Sequence, residues 1–485
     1  MNKLSFSILC FAMLACISSC KNPKTESKTS YPKKIDGQQL LSLKKTNTTD
    51  TATAPFFYTV QPVSLNRYLP ALQSFVFASY NGLWIFIGGQ KNGFHGTDDD
   101  PIPFPSKVAN DSIWVVDINQ QKSWGVPVFK NLSPVLSATN SAYCQVGDQL
   151  YMCGGFTKNS ANAANFNTTS DIFLEIDLNT LVQYVESGGT STNTVITKQI
   201  ENPYVQVTGG AMVYSNNYFY LIGGQNYDSV YNSGITGHYT NAIRRFSLQQ
   251  QNNIWIIGDT ASLIDAVNLH RRDMNVVPGT PLDPQNVILY GGVFTRNDLA
   301  YRNAVFISGL STGNPTITVD SMQQLVNQYS CATVSYVDAS FNVAVTSFLG
   351  GITYQMYNAD SGKLVTGDNG VPMPFSNIAS TIVTGGGINN SVEFIQLPPA
   401  SPLLPSYMGA NAVFIPNPQY ALSTNQRLLD AGKINVDTSG KVTIGYLFGG
   451  IISMGPTSGT TPAGYVPTYV NPALYKVELN VPNIQ

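Results

Sequence analysis

The chain has 485 residues, among them 41 Gly, 28 Pro, 26 Tyr and 23 Phe, yet only 11% of it is charged, less than half the share of an average globular protein, roughly 25%. Hydrophobic residues make up 43% and the formal net charge is −2. The chain therefore buries a sizeable core, and it is neither a disordered polyelectrolyte nor a nucleic-acid surface, which needs clustered cations to release counterions. Helical periodicity of the Leu/Ala/Glu/Lys kind is almost absent, which excludes helical bundles and coiled coils. A β protein rich in Tyr, Asn, Thr and Gly remains.

Residues 1–20 read as an address. Lys3 opens them, an apolar run from Phe6 to Ile17 follows, and Ile17-Ser18-Ser19-Cys20 closes them. The run is too short to span a bilayer and fits a signal peptide over 1–19. The closing tetrapeptide resembles the bacterial lipobox. That resemblance implies that Cys20 becomes the acylated N-terminus of an extracytoplasmic, outer-membrane lipoprotein, attached to the membrane through its lipid. Removing the signal leaves 25 basic against 28 acidic side chains. Residues 20–54, rich in Lys, Thr and Ser, read as a tether carrying the lipidated Cys. Cys144, Cys153 and Cys331 are then left. Their odd number excludes a complete disulfide framework, and they read as small buried hydrophobes.

From about residue 55 to the end a short apolar strand closing in Gly-Gly recurs six times: LWIFIGG (Gly88-Gly89), LYMCGG (Gly154-Gly155), FYLIGG (Gly223-Gly224), VILYGG (Gly291-Gly292), TSFLGG (Gly350-Gly351) and GYLFGG (Gly449-Gly450). The spacings are 66, 69, 68, 59 and 99 residues. An apolar strand such as SFVFAS or GAMVYS precedes each pair, often through a tight turn (Asn81-Gly82, Gly147-Asp148). A polar loop and a third strand follow: IWVVD, IFLEID, AIRRFSL, AVFIS, VEFIQL (392–397) and ALYKVEL. A fourth strand is visible at 124–129, 254–258 and 316–320. Four antiparallel strands per repeat, six repeats and no helices predict an all-β, six-bladed β-propeller over 55–485. The 99-residue gap leaves room for a divergent seventh blade around 384–397. The last repeat lacks a fourth strand while FFYTV (56–60) is spare, so the N-terminal strand is expected to complete the last blade and close the ring.

The doublet ending the second strand, with aromatic residues downstream, resembles the Kelch family of propellers over the whole of 55–485. The repeats here are longer than that family's roughly 50 residues, and its Tyr and Trp positions are only partly kept.

In such a blade the second-to-third and fourth-to-first loops share one face. The long loops at 90–111, 156–170, 225–241, 293–303, 352–390 and 451–472 put Tyr231, Tyr239 and Tyr301 there, and the approaches to the inner strands add Arg67, Tyr68, His270, Arg271, Arg272, Tyr329 and Tyr407. Aromatic rings beside planar polar groups suit glycans or extended peptides; equally, lengthened loops need such residues to stay ordered. In His270-Arg271-Arg272-Asp273 one guanidinium can grip a carboxylate at the pore, or the run can tie blades together. Neighbours on an extended strand point to opposite faces, so only one of the two arginines faces the pore. His95, His238 and His270, the three histidines, come from separate repeats without ligand spacing, and Asp98-Asp99-Asp100 lacks the spaced acceptors of a calcium loop; no metal and no cofactor is expected. No nucleophile–base motif stands out, so no catalytic residue is assigned. The reading is a monomeric envelope binding or scaffolding module whose ligand is a glycan or a partner envelope protein, with Arg67, His270, Arg271, Arg272, Tyr329 and Tyr407 as candidate ligand contacts. The competing reading, carried by resemblance alone, is a sugar-modifying enzyme of the sialate mutarotase type. A copper oxidase of the galactose oxidase type stands further off, because no residue of its metal site can be matched here.

Overall fold

The structure is a computed structural model that describes residues 56–64, 69–96, 102–159, 164–231, 237–279, 286–296, 299–338, 342–366, 373–385, 389–422, 425–456 and 467–481. Cys20, the tether, Arg67, Tyr68 and the Asp98–Asp100 run lie outside these residues. The chain forms a six-bladed β-propeller of mostly four-stranded antiparallel sheets. Blade 1 is Val76–Tyr80, Leu83–Ile87, Ser112–Asp117 and Lys122–Pro127, from the innermost strand outward. Blades 2 to 5 repeat this order. Inner strands lie between neighbouring blades and are buried on both faces, which is why Leu83–Ile87 reads as an unbroken apolar run and Val343–Ile352 is buried along its whole length. Outer strands such as Thr316–Gln323 alternate between exposed and covered positions.

Blade 6 closes the ring as expected. Its strands Tyr407–Pro416, Lys441–Ser453 and Leu474–Asn480 receive Phe57–Pro62 as the outermost, antiparallel to the last, with Phe57 opposite Asn480 and Pro62 opposite Tyr475. The fully buried Gln396 of blade 5 brackets that N-terminal strand: its Oε1 accepts from Tyr58 N (2.7 Å) and its Nε2 donates to Tyr58 O (3.2 Å). Ser347 Oγ donates to the Tyr58 hydroxyl (2.9 Å).

All twelve doublet glycines have φ between 58° and 96°, a region that costs other residues about 1–2 kcal/mol. Each pair also meets the next blade. Gly89 N donates to Ala138 O, Gly224 N to Arg271 O and Gly450 N to Leu72 O. Around the axis the blades are joined by a second device. Ser74, Asn140, Gly209, Asp273, Ser330 and Asn411, one per blade, all take φ between 46° and 64°. The N–H of each donates to the carbonyl of the one before it, and Ser74 N closes the circle on Asn411 O, over distances of 2.6–3.4 Å. These six peptide units form a hydrogen-bonded ring about the axis, the axial floor, just where the innermost strands begin. Ser, Asn, Asp and Gly suit it because they are short and tolerate the left-handed region.

Four expectations need correction. The third strand of blade 5 is Phe375–Thr384, and VEFIQL supplies its fourth, Ser391–Ile395. No seventh blade is therefore built around 384–397, and the loop drawn at 352–390 ends at the start of that third strand. Its described part holds a hairpin of Gln355–Asn358 and Lys363–Thr366. The chain is also not free of helix: Leu178–Glu186 follows the third strand of blade 2, capped by Asp177, whose carboxylate accepts from Thr180 N at 2.8 Å. Leu178, Leu181, Val182 and Val185 form its buried stripe. Finally, the 99-residue gap is explained by an insertion between the first two strands of blade 6. Its strand Asn425–Asp430 pairs in parallel with the innermost strand of blade 5, Leu428 opposite Ser335. Arg427 then reaches Phe77 O of blade 1 (3.4 Å) and lies over the Tyr143 ring of blade 2 (4.9 Å). The insertion crosses the channel on the short-loop side.

Cys144, Cys153 and Cys331 are free thiols, and the hairpin register puts Cys144 opposite Tyr151 rather than Cys153. Burial pushes the Cys144 and Cys153 thiols up to about 12, so neither is a ready nucleophile.

Candidate functional site

The residue just before each member of the axial floor lines the channel mouth: Gln73, Thr139, Thr208, Arg272, Tyr329 and Ala410 from blades 1 to 6. All six are bridged through their backbones to the residue that follows their own blade's Gly pair, as Arg272 is to Val293, Tyr329 to Ile352 and Ala410 to Ile451. This register separates the two adjacent arginines. Arg271 turns away from the mouth into the body of blade 4, 1% exposed. Its Nη1 donates to Gly291 O (3.1 Å) and Asn303 O (3.0 Å), and its guanidinium lies 4.2 Å above the Tyr301 ring. It thus staples the two ends of the loop between the second and third strands. Burial pushes its pKa down to about 10.

Arg272 stays at the mouth. Its guanidinium lies 5.2 Å from the Phe294 ring and 5.9 Å from that of Tyr231, whose hydroxyl accepts from Nη2 at a long 3.4 Å. Asp273 Oδ2 is 3.6 Å from Nε, and no hydrogen bond to Nε is made among the described residues. Burial raises the Asp273 carboxyl above its usual range, while Arg272 pulls it the other way. The 9% exposed Arg272 is therefore a cation with five donors and one weak hydrogen bond.

The other candidates divide. Tyr329 joins the mouth: it is buried with Val293, Ile352, Phe375 and Ile451, and burial, then the Asp273 charge, raise its hydroxyl pKa while Arg272 opposes them. Tyr407 packs on the edge of the same cluster. His270 lies one step outside, stacked on Tyr239 at 3.9 Å with Nδ1 2.7 Å from Asn241 Oδ1. Burial, and then Arg296, hold its pKa below the ordinary value. Tyr239 links it to the mouth, accepting from Phe294 N and donating to Val293 O.

A cap covers the mouth. From blade 1, Phe94 meets the edge of Phe375 of blade 5 (5.8 Å), while His95 stacks on Phe94 and Phe104 and meets Tyr231 of blade 3 (4.6 Å). A turn that touches both blades 3 and 5 from blade 1 must pass over the axis. The three histidines do not converge, since His95 sits in this stack, His270 on Tyr239, and His238 is exposed on the short strand Gly237–Tyr239. Among the described residues no cluster of three or more His, Cys, Asp or Glu side chains can hold a metal ion.

Sequence reasoning missed Phe294, Gln73 and Gln90. The signal for the two glutamines was available: Gln90 directly follows Gly88-Gly89, as Val293 follows Gly291-Gly292.

No family model matches the chain, and no curated protein matches it. Among solved structures, that of YjhT aligns with 83% of this chain and 99% of its own, at 12% identity and a TM-score of 0.46.

Proposed function

We propose that this protein is a lipid-anchored envelope receptor that binds acidic glycans at the channel mouth through Arg272. One observation carries the reading: a buried guanidinium at the mouth whose hydrogen bonding is nearly unmet. A carboxylate meeting it bidentately contributes about 1.5–3 kcal/mol, or roughly ten- to a hundredfold in affinity. The rings of Tyr231, Phe294 and Tyr329 supply apolar surface for a sugar face. The N-terminal strand enters blade 6 at the end where Phe57 pairs with Asn480, on the short-loop side. A lipid on Cys20 would therefore hold the propeller by the face opposite the site and leave the mouth directed away from the membrane.

The test is calorimetric titration of glucuronate, galacturonate and N-acetylneuraminate against wild type, Arg272→Gln and Arg271→Met. Binding that falls at least tenfold in Arg272→Gln, with Arg271→Met lowering the melting temperature but not the affinity, supports the reading. Equal affinities in all three proteins refute it. An NMR anomerisation assay on the same sugars separates receptor from enzyme: turnover at micromolar protein would replace the binding role with sugar modification. Cys20→Ser should release the protein from membranes, and retention there would refute the lipid anchor.

A further inference from the structure

On the short-loop side blade 3 carries a projecting hairpin. Its outer strands, Ala242–Gln251 and Ile254–Ile264, are joined by Asn252 and Asn253, both left-handed with φ of 50° and 62°. The inner hairpin of the blade turns back at Tyr218, one row past the Phe219–Phe246 pair. The outer one runs on through Leu248–Ile257, Gln249–Ile256, Gln250–Trp255 and Gln251–Ile254. Four rows of about 3.4 Å carry its tip about 13 Å further out. In blades 1 and 4 the outer hairpins end within a row of the inner ones, at Asp117–Lys122 and Ser308–Thr316.

The tip has its own chemistry. No charged residue occurs from Phe246 to Gly258, and the charges that flank this stretch meet each other, Arg245 Nη2 to Asp259 Oδ1 at 2.8 Å. Ile257 and Leu248 pack in a cluster with Ile200 of blade 2, which leaves Ile254 65% and Trp255 37% exposed at the end. Lys198 of blade 2 lies 4.5 Å over the Trp255 ring and is paired with the Glu175 carboxylate. The other large hydrophobics that are equally exposed lie on loops and strand ends of the long-loop face. An amphipathic indole beside an isoleucine, ringed by Gln and Asn amides, suits the boundary between lipid headgroups and acyl chains, and no charge has to be desolvated there.

The position fits the same partner. Blade 3 stands opposite blade 6, whose outermost strand starts at Phe57 on the short-loop side. The 36 residues 20–55 span at most about 130 Å. A lipid at their start keeps the propeller near the bilayer without orienting it. Under that constraint a contact too weak to hold a free protein becomes effectively intramolecular.

We propose that the tip of this hairpin, Ile254 with Trp255, dips into the lipid–water interface of the membrane and gives the propeller a second foothold across the ring from its lipid. The disc then rests on its short-loop face with the mouth outward. The orientation rests on the lipid-anchor reading above; the contact itself does not.

The test uses the mature chain, lipidated on Cys20 and reconstituted in phosphatidylcholine vesicles whose acyl chains carry bromine as a quencher. Trp84, Trp114 and Trp124 all lie in blade 1, so the share of Trp255 is read by difference from Trp255→Thr, whose β-branched side chain suits the strand. Bromine near the headgroups should quench the wild type, and most of that quenching should vanish in Trp255→Thr. In a second arm the unlipidated Cys20→Ser chain is sedimented with the same lipid at high concentration. Replacing both residues, Ile254→Thr with Trp255→Thr, should lower its partition at least tenfold; melting temperatures show that the variants are folded. Equal quenching in wild type and Trp255→Thr, or equal partition with and without the double replacement, overturns the contact. A requirement for anionic lipid would place the attraction on Lys198 and overturn an apolar contact. Self-association that the double replacement abolishes, without vesicle binding, makes the tip a contact between copies and overturns it as well. Retention of Cys20→Ser on membranes that persists in the double variant refutes the anchor, and the orientation with it, whereas unquenched Trp255 in an anchored chain refutes the foothold alone.

Discussion

Replacing Gly88 by alanine tests what the recurring doublet does. An alanine Cβ there lies 2.5 Å from Ala138 O of blade 2, whereas at Gly82, at the other end of the same strand, it meets nothing within 4 Å. Both glycines are left-handed, with φ of 67° and 80°. Gly82→Ala therefore reports the conformational cost alone, about 1–2 kcal/mol. Gly88→Ala carries that cost and must also push the blades apart by several tenths of an ångström. This stretches the 2.9 Å bond from Gly89 N to Ala138 O, worth about 1 kcal/mol, and opens packing beside Leu136 and Ala138, both fully buried. A total of about 3–4 kcal/mol is expected. Urea unfolding followed by fluorescence of Trp84 and Trp114, both in blade 1, measures it. With unchanged m, the midpoint shift for Gly88→Ala should be at least twice that for Gly82→Ala. Equal shifts would mean that the doublet serves only chain geometry, and that the contact between blades contributes nothing.

Burial raises the Glu393 carboxyl to about 7, although Leu325 N donates to its Oε2 at 2.6 Å and Oε1 has no partner. The native state thus holds a proton that the unfolded chain has already released, so this group's stabilisation is complete below about pH 4.5 and is lost as pH rises through 7. Glu393→Gln should remove that loss, on the order of 3 kcal/mol, and flatten stability between pH 5 and 8; a variant whose denaturation midpoint falls with pH as steeply as wild type would contradict it. Gln396→Leu strips both brackets from the Tyr58 backbone and should cost about 2–4 kcal/mol. Hydrogen exchange should then speed up first at residues 57–62, and uniform acceleration across all blades would show that the N-terminal strand is not held there.

The fold was legible because every blade spends two glycines on the same contact and buries its inner strands on both faces. What hid was whatever departs from the repeat. The helix at Leu178–Glu186 is only nine residues long, and its Asp177-x-x-Thr180 start was absorbed into the preceding strand IFLEID. The third strand of blade 5 carries Ser376, Asn377, Ser380 and Thr381 among its apolar residues, and several of these polar side chains are satisfied inside the core. Ser380 Oγ donates to Gln328 (2.5 Å), and the Ser347 and Thr381 hydroxyls bond each other (2.8 Å). Hydropathy alone therefore read this strand as loop and promoted its neighbour.

The candidate site was harder to see because its position is set by register, not by composition. His270-Arg271-Arg272-Asp273 looks like one polar cluster in the sequence, yet the backbone bridge between Arg272 and Val293 gives the four residues separate tasks. Arg271 clamps a loop, Arg272 faces the mouth, Asp273 enters the floor and His270 braces Tyr239. Two neighbouring arginines can therefore differ wholly in role while sharing the same local charge. The same register, counted three blades round, leads from Arg272 to Gln73, a residue with no chemistry to advertise it. In a propeller the useful coordinate of a residue is its offset from the doublet and the number of its blade. Offset decides whether a side chain reaches the axis, and blade number decides what it faces.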